Sequence, residues 1–147
     1  MNLQLRGLLA APHTPFDTAG DVNFSVIPMQ AAALVRNGVA GAFVCGTTGE
    51  GLSLTIAERM AVLDAWLAAK PAGFHVIAHV GAAAERDAIA LTKHAVASGA
   101  DAVAALPCFY HRPAGLDAAI DSFAAIADAA SGTPTYYYHL PGLTQVD

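Results

Sequence analysis

The sequence has 147 residues, which is the length of one ordinary domain or of a piece of a larger one. It is 55% hydrophobic and only 13% charged, with a formal net charge of −5. No run reaches the ~18 uncharged apolar residues of a membrane span, and no cluster of Lys or Arg marks a nucleic-acid-binding surface. The apolar stretch after Arg6 is too short for a signal peptide. We therefore predict a cytoplasmic protein with neither membrane nor nucleic-acid partners.

Short apolar runs alternate with longer stretches of helical periodicity along the chain. Strands are predicted, in chain order, at 6–11, 41–45, 75–80, 101–106 and 135–140. Apolar residues spaced by three and four predict helices at 24–37, 55–69, 84–98 and 116–130. Thr55 and Glu58 have the spacing of a capping box at the start of the second helix. Gly38, Gly99 and Gly132 follow three of the helical patterns, where a left-handed residue commonly ends a helix.

This alternation predicts an α/β fold with a parallel sheet covered by helices. Two architectures fit the pattern: an open doubly wound sheet of the flavodoxin type, or the first five strands and four helices of a (β/α)8 barrel. The open sheet would need a fifth covering helix, which the sequence lacks. A complete barrel needs ~250 residues, so the second interpretation makes residues 1–147 the N-terminal part of a single barrel. In both, functional residues gather at the carboxyl ends of the strands.

The segment Gly46-Thr47-Thr48-Gly49-Glu50 follows the second predicted strand. Glycines allow a tight turn and the close approach of a ligand to the main chain, and two hydroxyls add hydrogen-bond donors. Such a turn suits a carboxylate. The alternative is a purely structural turn whose threonines satisfy local backbone groups. The segment lacks the lysine of a Walker A loop.

Tyr138 lies at the carboxyl end of the fifth predicted strand, on the same face as Tyr136 and opposite Tyr137. A tyrosine in this position can relay a proton, although packing of all three rings is the alternative. His79 and His139 also lie near this rim.

Other reactive side chains do not form a recognisable site. Cys45 and Cys108 fit neither a CxxC pair nor a zinc set and are interpreted as buried free thiols. Neither metal-ligand spacing nor paired carboxylates occur, so we predict no metal site and no cofactor. Lys70 and Lys93 fall in helical patterns, away from the rim, where neither would form a Schiff base.

Four segments, taken in order, carry a resemblance: "GLLAAPHTPF", "GTTGEGLSLTIAER", "IAHVG" and "YYYHLPGLT". They are similar to the family of N-acetylneuraminate lyase and dihydrodipicolinate synthase, class I aldolases built on a (β/α)8 barrel. The resemblance implies that Thr47 and Thr48, in the turn bounded by Gly46 and Gly49, bind the carboxylate of pyruvate or another 2-oxo acid. It also implies that Tyr138, three positions before a proline, is catalytic and shuttles a proton.

Departures from the family pattern narrow the implied activity. The synthases carry an arginine where this sequence has Leu143, whereas the segments around Thr47 and Tyr138 look closer to the sialic-acid lyases. Tyr110 resembles, one residue out of register, a tyrosine that reaches a neighbouring subunit. The family's Schiff-base lysine lies on the sixth strand, beyond residue 147. The resemblance thus implies a homotetrameric parent that cleaves sialic acid to N-acetylmannosamine and pyruvate.

Two functional hypotheses remain open at this point. The chain is the N-terminal portion of such an aldolase, or of another pyruvate-dependent lyase or synthase of the family. Alternatively, it is a non-catalytic half-barrel that binds a carboxylate. In isolation we expect it to be inactive and, because half a barrel leaves sheet edges and apolar surface uncovered, to self-associate.

Overall fold

A computed structural model describes residues 5–146 and contains a five-stranded parallel sheet. The strands are β1 (Leu9–Ala10), β2 (Gly41–Val44), β3 (His75–His79), β4 (Ala102–Ala105) and β5 (Thr135–Tyr137). They pair in sequential order, β1-β2-β3-β4-β5, with Val44 of β2 opposite Ala78 of β3. A flavodoxin-like sheet would have the order 2-1-3-4-5, so the sequential order corrects that alternative and confirms the partial (β/α)8 barrel.

Four long helices connect the strands, close to the predicted positions. They are α1 (Ile27–Arg36), α2 (Ile56–Ala69), α3 (Glu85–Ser98) and α4 (Leu116–Ala129). The first helix begins with a 3-10 turn at Phe24–Val26, and Pro28 then lies in the first turn of α1. A further single-turn helix, α5 (Pro141–Thr144), follows β5 and is too short to show a periodicity in the sequence.

The predicted helix ends are present. The Thr55 hydroxyl accepts the Glu58 N–H at 3.2 Å, and the Glu58 carboxylate accepts the Thr55 N–H at 2.7 Å. The Thr55 hydroxyl also donates to the Glu58 carboxylate at 2.7 Å, and this bond, followed by the bond from the Thr55 N–H, lowers the pKa of Glu58 below its usual value. Gly99 ends α3 with φ +83°, a left-handed conformation that glycine adopts without strain.

The two faces of the sheet bury different sets of side chains. The outer face carries Val44, Val76 and Val103, each at most 1% exposed. These side chains share a core cluster with helical residues such as Trp66 of α2. The inner face forms a smaller cluster of Ile77, Ala102 and Ala104, against which Phe43 and Leu5 pack. Alternation of side chains along each strand produces this division. The inner face therefore leads directly to the carboxyl ends of the strands.

Apolar side chains are exposed at both edges of the sheet. Leu8 and Leu9 flank one edge, at 71% and 40% exposure. At the other edge, Leu116, Ile120 and Tyr137 line a groove of about 410 Å³. Within residues 5–146, β1 pairs only with β2 and β5 only with β4.

No helix in the described part of the chain combines the length and the apolarity needed to cross a membrane.

Candidate functional site

The structure brings together two motifs that lie far apart in the sequence. Thr47 follows β2 and Tyr138 follows β5, and their hydroxyl oxygens are 3.3 Å apart. This is a hydrogen bond in which either group is able to donate. Thr48 is exposed next to Thr47 in the same loop. The candidate site thus lies at the carboxyl ends of the strands, as predicted.

Close packing of the backbone explains the glycines of the loop after β2. A Cβ on Gly46 would lie 2.6 Å from the Phe43 ring, and a Cβ on Gly49 would lie 3.1 Å from the Pro12 carbonyl oxygen. Gly51 is tighter still, because its Cβ would lie 1.9 Å from the carbonyl oxygen of Cys45. Cys45 itself has φ +56°, so the chain turns sharply where β2 ends.

This turn leaves two main-chain donors without an acceptor among residues 5–146. The N–H groups of Glu50 and Gly51 bond within the loop, to the carbonyls of Thr47 and Gly46. The N–H groups of Thr47 and Thr48 have no acceptor among residues 5–146. Neither threonine hydroxyl bonds a local backbone group, which disfavours the structural-turn alternative. Two amides and two hydroxyls are therefore available to an anion.

A second segment holds the loop in place. Thr14, in the connection after β1, donates its hydroxyl hydrogen to the Gly49 carbonyl at 2.6 Å. Thr14 is 6% exposed, so this bond is sheltered from water. Spacing in the sequence did not single out Thr14, because its partner is 35 residues away.

Aromatic contacts fix the ring of Tyr138. Its centroid lies 5.2 Å from that of Phe43 and 5.8 Å from that of His79, both in edge-to-face geometry. Tyr137 points to the other side of the sheet, where it contacts Phe123 of α4. The predicted alternation of the tyrosines is therefore present.

His79 is buried at the end of β3 and is uncharged at neutral pH. Burial, and then the nearby Arg59 cation, lower its pKa to about 4. Its Nδ1 lies 3.0 Å from the Cys45 carbonyl oxygen, which only accepts, so Nδ1 carries the hydrogen. His79 is thus a fixed neutral donor and not an acid or base at neutral pH.

Cys45 is not a nucleophile of this site. Cys45 is 4% exposed, and burial raises the pKa of its thiol to about 11 despite the proximity of Arg59. The prediction of a buried thiol is confirmed for Cys45, whereas Cys108 is only half-buried.

A cavity of about 300 Å³ opens beside Thr47, whereas Tyr138 and Thr48 are not among its lining residues. Its lining residues include Thr47, His79, Leu106, Phe109 and Leu143. Tyr110 is 79% exposed and stacks edge-on against His111 outside this lining, and His139 contacts the ring of Tyr137. Within residues 5–146, no three His, Cys, Asp or Glu side chains are grouped so as to hold a metal ion.

Arg59, like Thr14, is a residue of this region that was not predicted from the sequence. It is 3% exposed, and its guanidinium bonds the carbonyls of His79 and Gly81. One signal was available, because Arg59 shares a helical face with Val62, Leu63 and Trp66, which are all buried.

Comparisons with known proteins agree with this geometry. The chain is 43% identical over 145 residues to human N-acetylneuraminate lyase, covering 97% of this chain and 45% of that protein. It superposes with a TM-score of 0.92 and 40% identity on N-acetylneuraminate lyase (sialic acid aldolase) from Aliivibrio salmonicida, covering 99% of this chain and 48% of the other. It superposes on dihydrodipicolinate synthase from Aquifex aeolicus with a TM-score of 0.91 and 30% identity, covering 97% of this chain and 48% of the other.

The chain thus spans about half the length of the curated relatives that it matches. The model of the dihydrodipicolinate synthetase family matches residues 4–147. On this match, and on lyase relatives that align over nearly all of its residues, the chain belongs to the dihydrodipicolinate synthetase family.

Proposed function

We propose that this chain carries the carboxylate-binding and proton-relay groups of a Schiff-base aldolase. The parent protein cleaves sialic acid to N-acetylmannosamine and pyruvate, and residues 1–147 are the N-terminal part of its single barrel. The observation that carries the proposal is the 3.3 Å contact between the hydroxyls of Thr47 and Tyr138, across 91 residues of sequence. A carboxylate bound at the loop would thereby lie beside the phenol.

The proposed division of labour follows from the donors present. The hydroxyls and free amides of Thr47 and Thr48 donate to the carboxylate, and Gly46 and Gly49 allow the loop its shape. Tyr138 passes a proton to or from the oxygen at the cleaved bond. The Thr47 hydroxyl is the hydrogen-bond partner of the Tyr138 phenol.

The nucleophile is supplied by a lysine of the sixth strand in the parent. Its neutral amine attacks the ketone, the ketone oxygen leaves as water, and the resulting iminium accepts the electrons of the breaking carbon–carbon bond. The two lysines of this chain do not replace it. Lys70 ends α2 in an ion pair with Asp101 at 2.6 Å, and Lys93 is exposed on α3.

Sialic-acid cleavage is favoured over dihydrodipicolinate synthesis by the cavity wall. Leu143 lies where the synthases carry an arginine, and the cavity lining within the described residues contains neither Lys nor Arg. A second carboxylate would therefore lack a cationic partner, whereas a neutral hydroxylated chain would not need one. The identities of 43% and 40% to the human and Aliivibrio salmonicida lyases, against 30% to the Aquifex aeolicus synthase, point the same way.

Trapping with borohydride tests the proposed chemistry. We expect the parent protein incubated with pyruvate and borohydride to gain the mass of a reduced pyruvate adduct on one lysine. The 147-residue chain, treated identically, should gain none and should show no sialic-acid turnover. A folded parent without an adduct, or turnover by the 147-residue chain, would contradict the proposal.

A further inference from the structure

Arg59 is a buried cation that the proposed chemistry does not use. It lies on α2, four residues after the capping Thr55, and is 3% exposed. Burial lowers the pKa of its guanidinium. Within residues 5–146 no carboxylate lies within ion-pair distance of it. A buried charge without a carboxylate in contact is costly. Asp87 raises the pKa of Arg59 from a greater distance, and the hydrogen bonds that Arg59 makes indicate its role.

Those hydrogen bonds go to two main-chain carbonyls at the end of β3. Nη2 donates to the His79 carbonyl at 2.7 Å, and Nη1 donates to the Gly81 carbonyl at 2.9 Å. The N–H of Val80 faces β4, where it bonds Ala104, so the carbonyls on either side of Val80 face β2. β2 ends at Val44, opposite Ala78. The guanidinium thus takes the place of the strand that stops there.

The imidazole of His79 connects the Arg59 guanidinium to the loop after β2. Nδ1 donates to the Cys45 carbonyl at 3.0 Å, and Arg59 Nη2 lies 3.4 Å from the same nitrogen. Cys45 is the left-handed residue at which the loop to Thr47 begins. The two guanidinium hydrogen bonds of Arg59 therefore fix the main chain of His79, and the side chain of His79 fixes the start of the loop.

The same imidazole also holds the tyrosine. Its ring meets that of Tyr138 edge-to-face at 83°, with 5.8 Å between centroids, and the Phe43 ring contacts both, at 5.9 Å from His79 and 5.2 Å from Tyr138. A Cβ on Gly81 would lie 2.9 Å from His79 Nε2, so the imidazole fits in this place because residue 81 has no side chain. One buried ring therefore contacts both the anion loop and the phenol.

We propose that Arg59 is a positioning residue for the Thr47–Tyr138 pair, acting through His79. The inference deepens the proposed function. It rests on that function for the assignment of Thr47 and Tyr138 to carboxylate binding and proton relay, whereas the contacts of Arg59 and His79 stand without it. Arg59 itself touches no ligand. Its hydrogen bonds to the two carbonyls set the position and orientation of the His79 imidazole. The imidazole in turn sets the distance between the Thr47 and Tyr138 hydroxyls.

The experiment uses the 147-residue chain labelled for NMR at its tyrosine rings, with the Tyr138 signal assigned by its loss in Tyr138→Phe. Arg59→Met removes the guanidinium and its hydrogen bonds. Arg59→Lys keeps the charge but cannot bridge two carbonyls in the same geometry. Both variants should shift the Tyr138 ring signal and weaken pyruvate binding roughly tenfold, because misplaced donors lose charge-assisted hydrogen bonds. Arg86→Met, at an exposed arginine of α3, is the matched control and should change neither.

Each outcome decides the proposal. A shifted Tyr138 signal in Arg59→Lys supports it, even if the wild-type chain does not bind pyruvate; in that case the proposed function fails and the positioning role stands. Should Arg59→Met not fold, Arg59→Lys carries the test alone. An unshifted Tyr138 signal with unchanged pyruvate affinity in a folded Arg59→Lys chain overturns the proposal, whatever happens to its melting temperature. His79→Phe should give the same shift, and adding Arg59→Lys to it should add little.

Discussion

At the scale of single residues, the candidate site depends on donors whose partners are not supplied by the chain itself. The amides of Thr47 and Thr48 are free within residues 5–146, and the Thr47 hydroxyl meets the phenol of Tyr138. Both threonines are exposed, so water satisfies these donors in the free chain. In the proposed function an anion replaces that water.

Replacing the Thr47 hydroxyl tests this explanation. We expect Thr47→Val to weaken pyruvate binding by roughly ten- to a hundredfold, since a hydrogen bond to a charged group contributes about 1.5–3 kcal/mol. The folded chain should keep its melting temperature, because the hydroxyl makes only one long contact. Thr18→Val, at an exposed threonine of the β1–α1 connection, is the control. Equal affinities for pyruvate in the two variants would contradict the assignment, with isothermal titration calorimetry as the measurement.

His79 makes stability depend on pH. Its pKa is about 4 in the folded chain, against an ordinary value of 6.5, because of burial and the Arg59 cation. The unfolded chain therefore takes up a proton between these values that the folded chain does not. The stability due to neutral His79 is complete above pH 6.5 and is lost as pH falls toward 4.

His79→Gln removes this titration. Between pH 7 and pH 5, wild-type protein should lose about 2 kcal/mol more unfolding free energy than His79→Gln. His13→Gln, at an exposed histidine, should behave like the wild type. Urea denaturation at the two pH values provides the measurement, and parallel losses in wild type and His79→Gln would refute the assignment.

At the scale of elements, the turn from β2 to α2 is the most tightly constrained segment. Gly51 leaves no space for a Cβ, which would lie 1.9 Å from the Cys45 carbonyl. The neighbouring capping box then starts α2. Strand end, anion loop and helix start are thus specified within a dozen residues.

Gly51→Ala should therefore be strongly destabilising. We expect a loss of about 2–4 kcal/mol, because the backbone of Cys45 must move to avoid the new methyl group. Gly142→Ala, where a Cβ meets nothing within 4 Å, should cost less than about 1 kcal/mol. Similar thermal unfolding of the two variants would show that the loop is not packed as described.

Most elements could be predicted from the sequence because their signals are local. Periodicity located all four long helices to within about three residues, and Thr55 with Glu58 marked the start of α2. Gly46 to Gly49 and Tyr138 were identifiable as site candidates from their positions after strands. The role of Arg59 was not, because it depends on two carbonyls exposed where β2 stops, 20 and 22 residues away in sequence.

At the scale of the whole molecule, apolar surface remains uncovered at both edges of the sheet. Leu8 is 71% exposed at one edge, and Leu116 and Ile120 are 68% and 55% exposed on α4 near the other. Relatives of about twice this length belong to the same family. Unpaired strand edges beside apolar surface favour association between chains.

The 147-residue chain should consequently self-associate. Light scattering after gel filtration should give a mass above that of a monomer, increasing with concentration. Ile120→Lys should lower the mass by placing a charge in the apolar groove, whereas Asp121→Lys on the same helix should not. A concentration-independent monomer would contradict this prediction.

The central claim, that the loop after β2 binds the carboxylate of a 2-oxo acid, is tested most directly by titrating the chain with pyruvate while following its amide resonances. We predict saturable shifts at Thr47 and Thr48 with a dissociation constant in roughly the millimolar range, as befits so small a ligand. Methyl pyruvate, which lacks the charge, should leave both resonances in place. Unmoved Thr47 and Thr48 resonances at saturating pyruvate, or equal shifts with the ester, would contradict the claim.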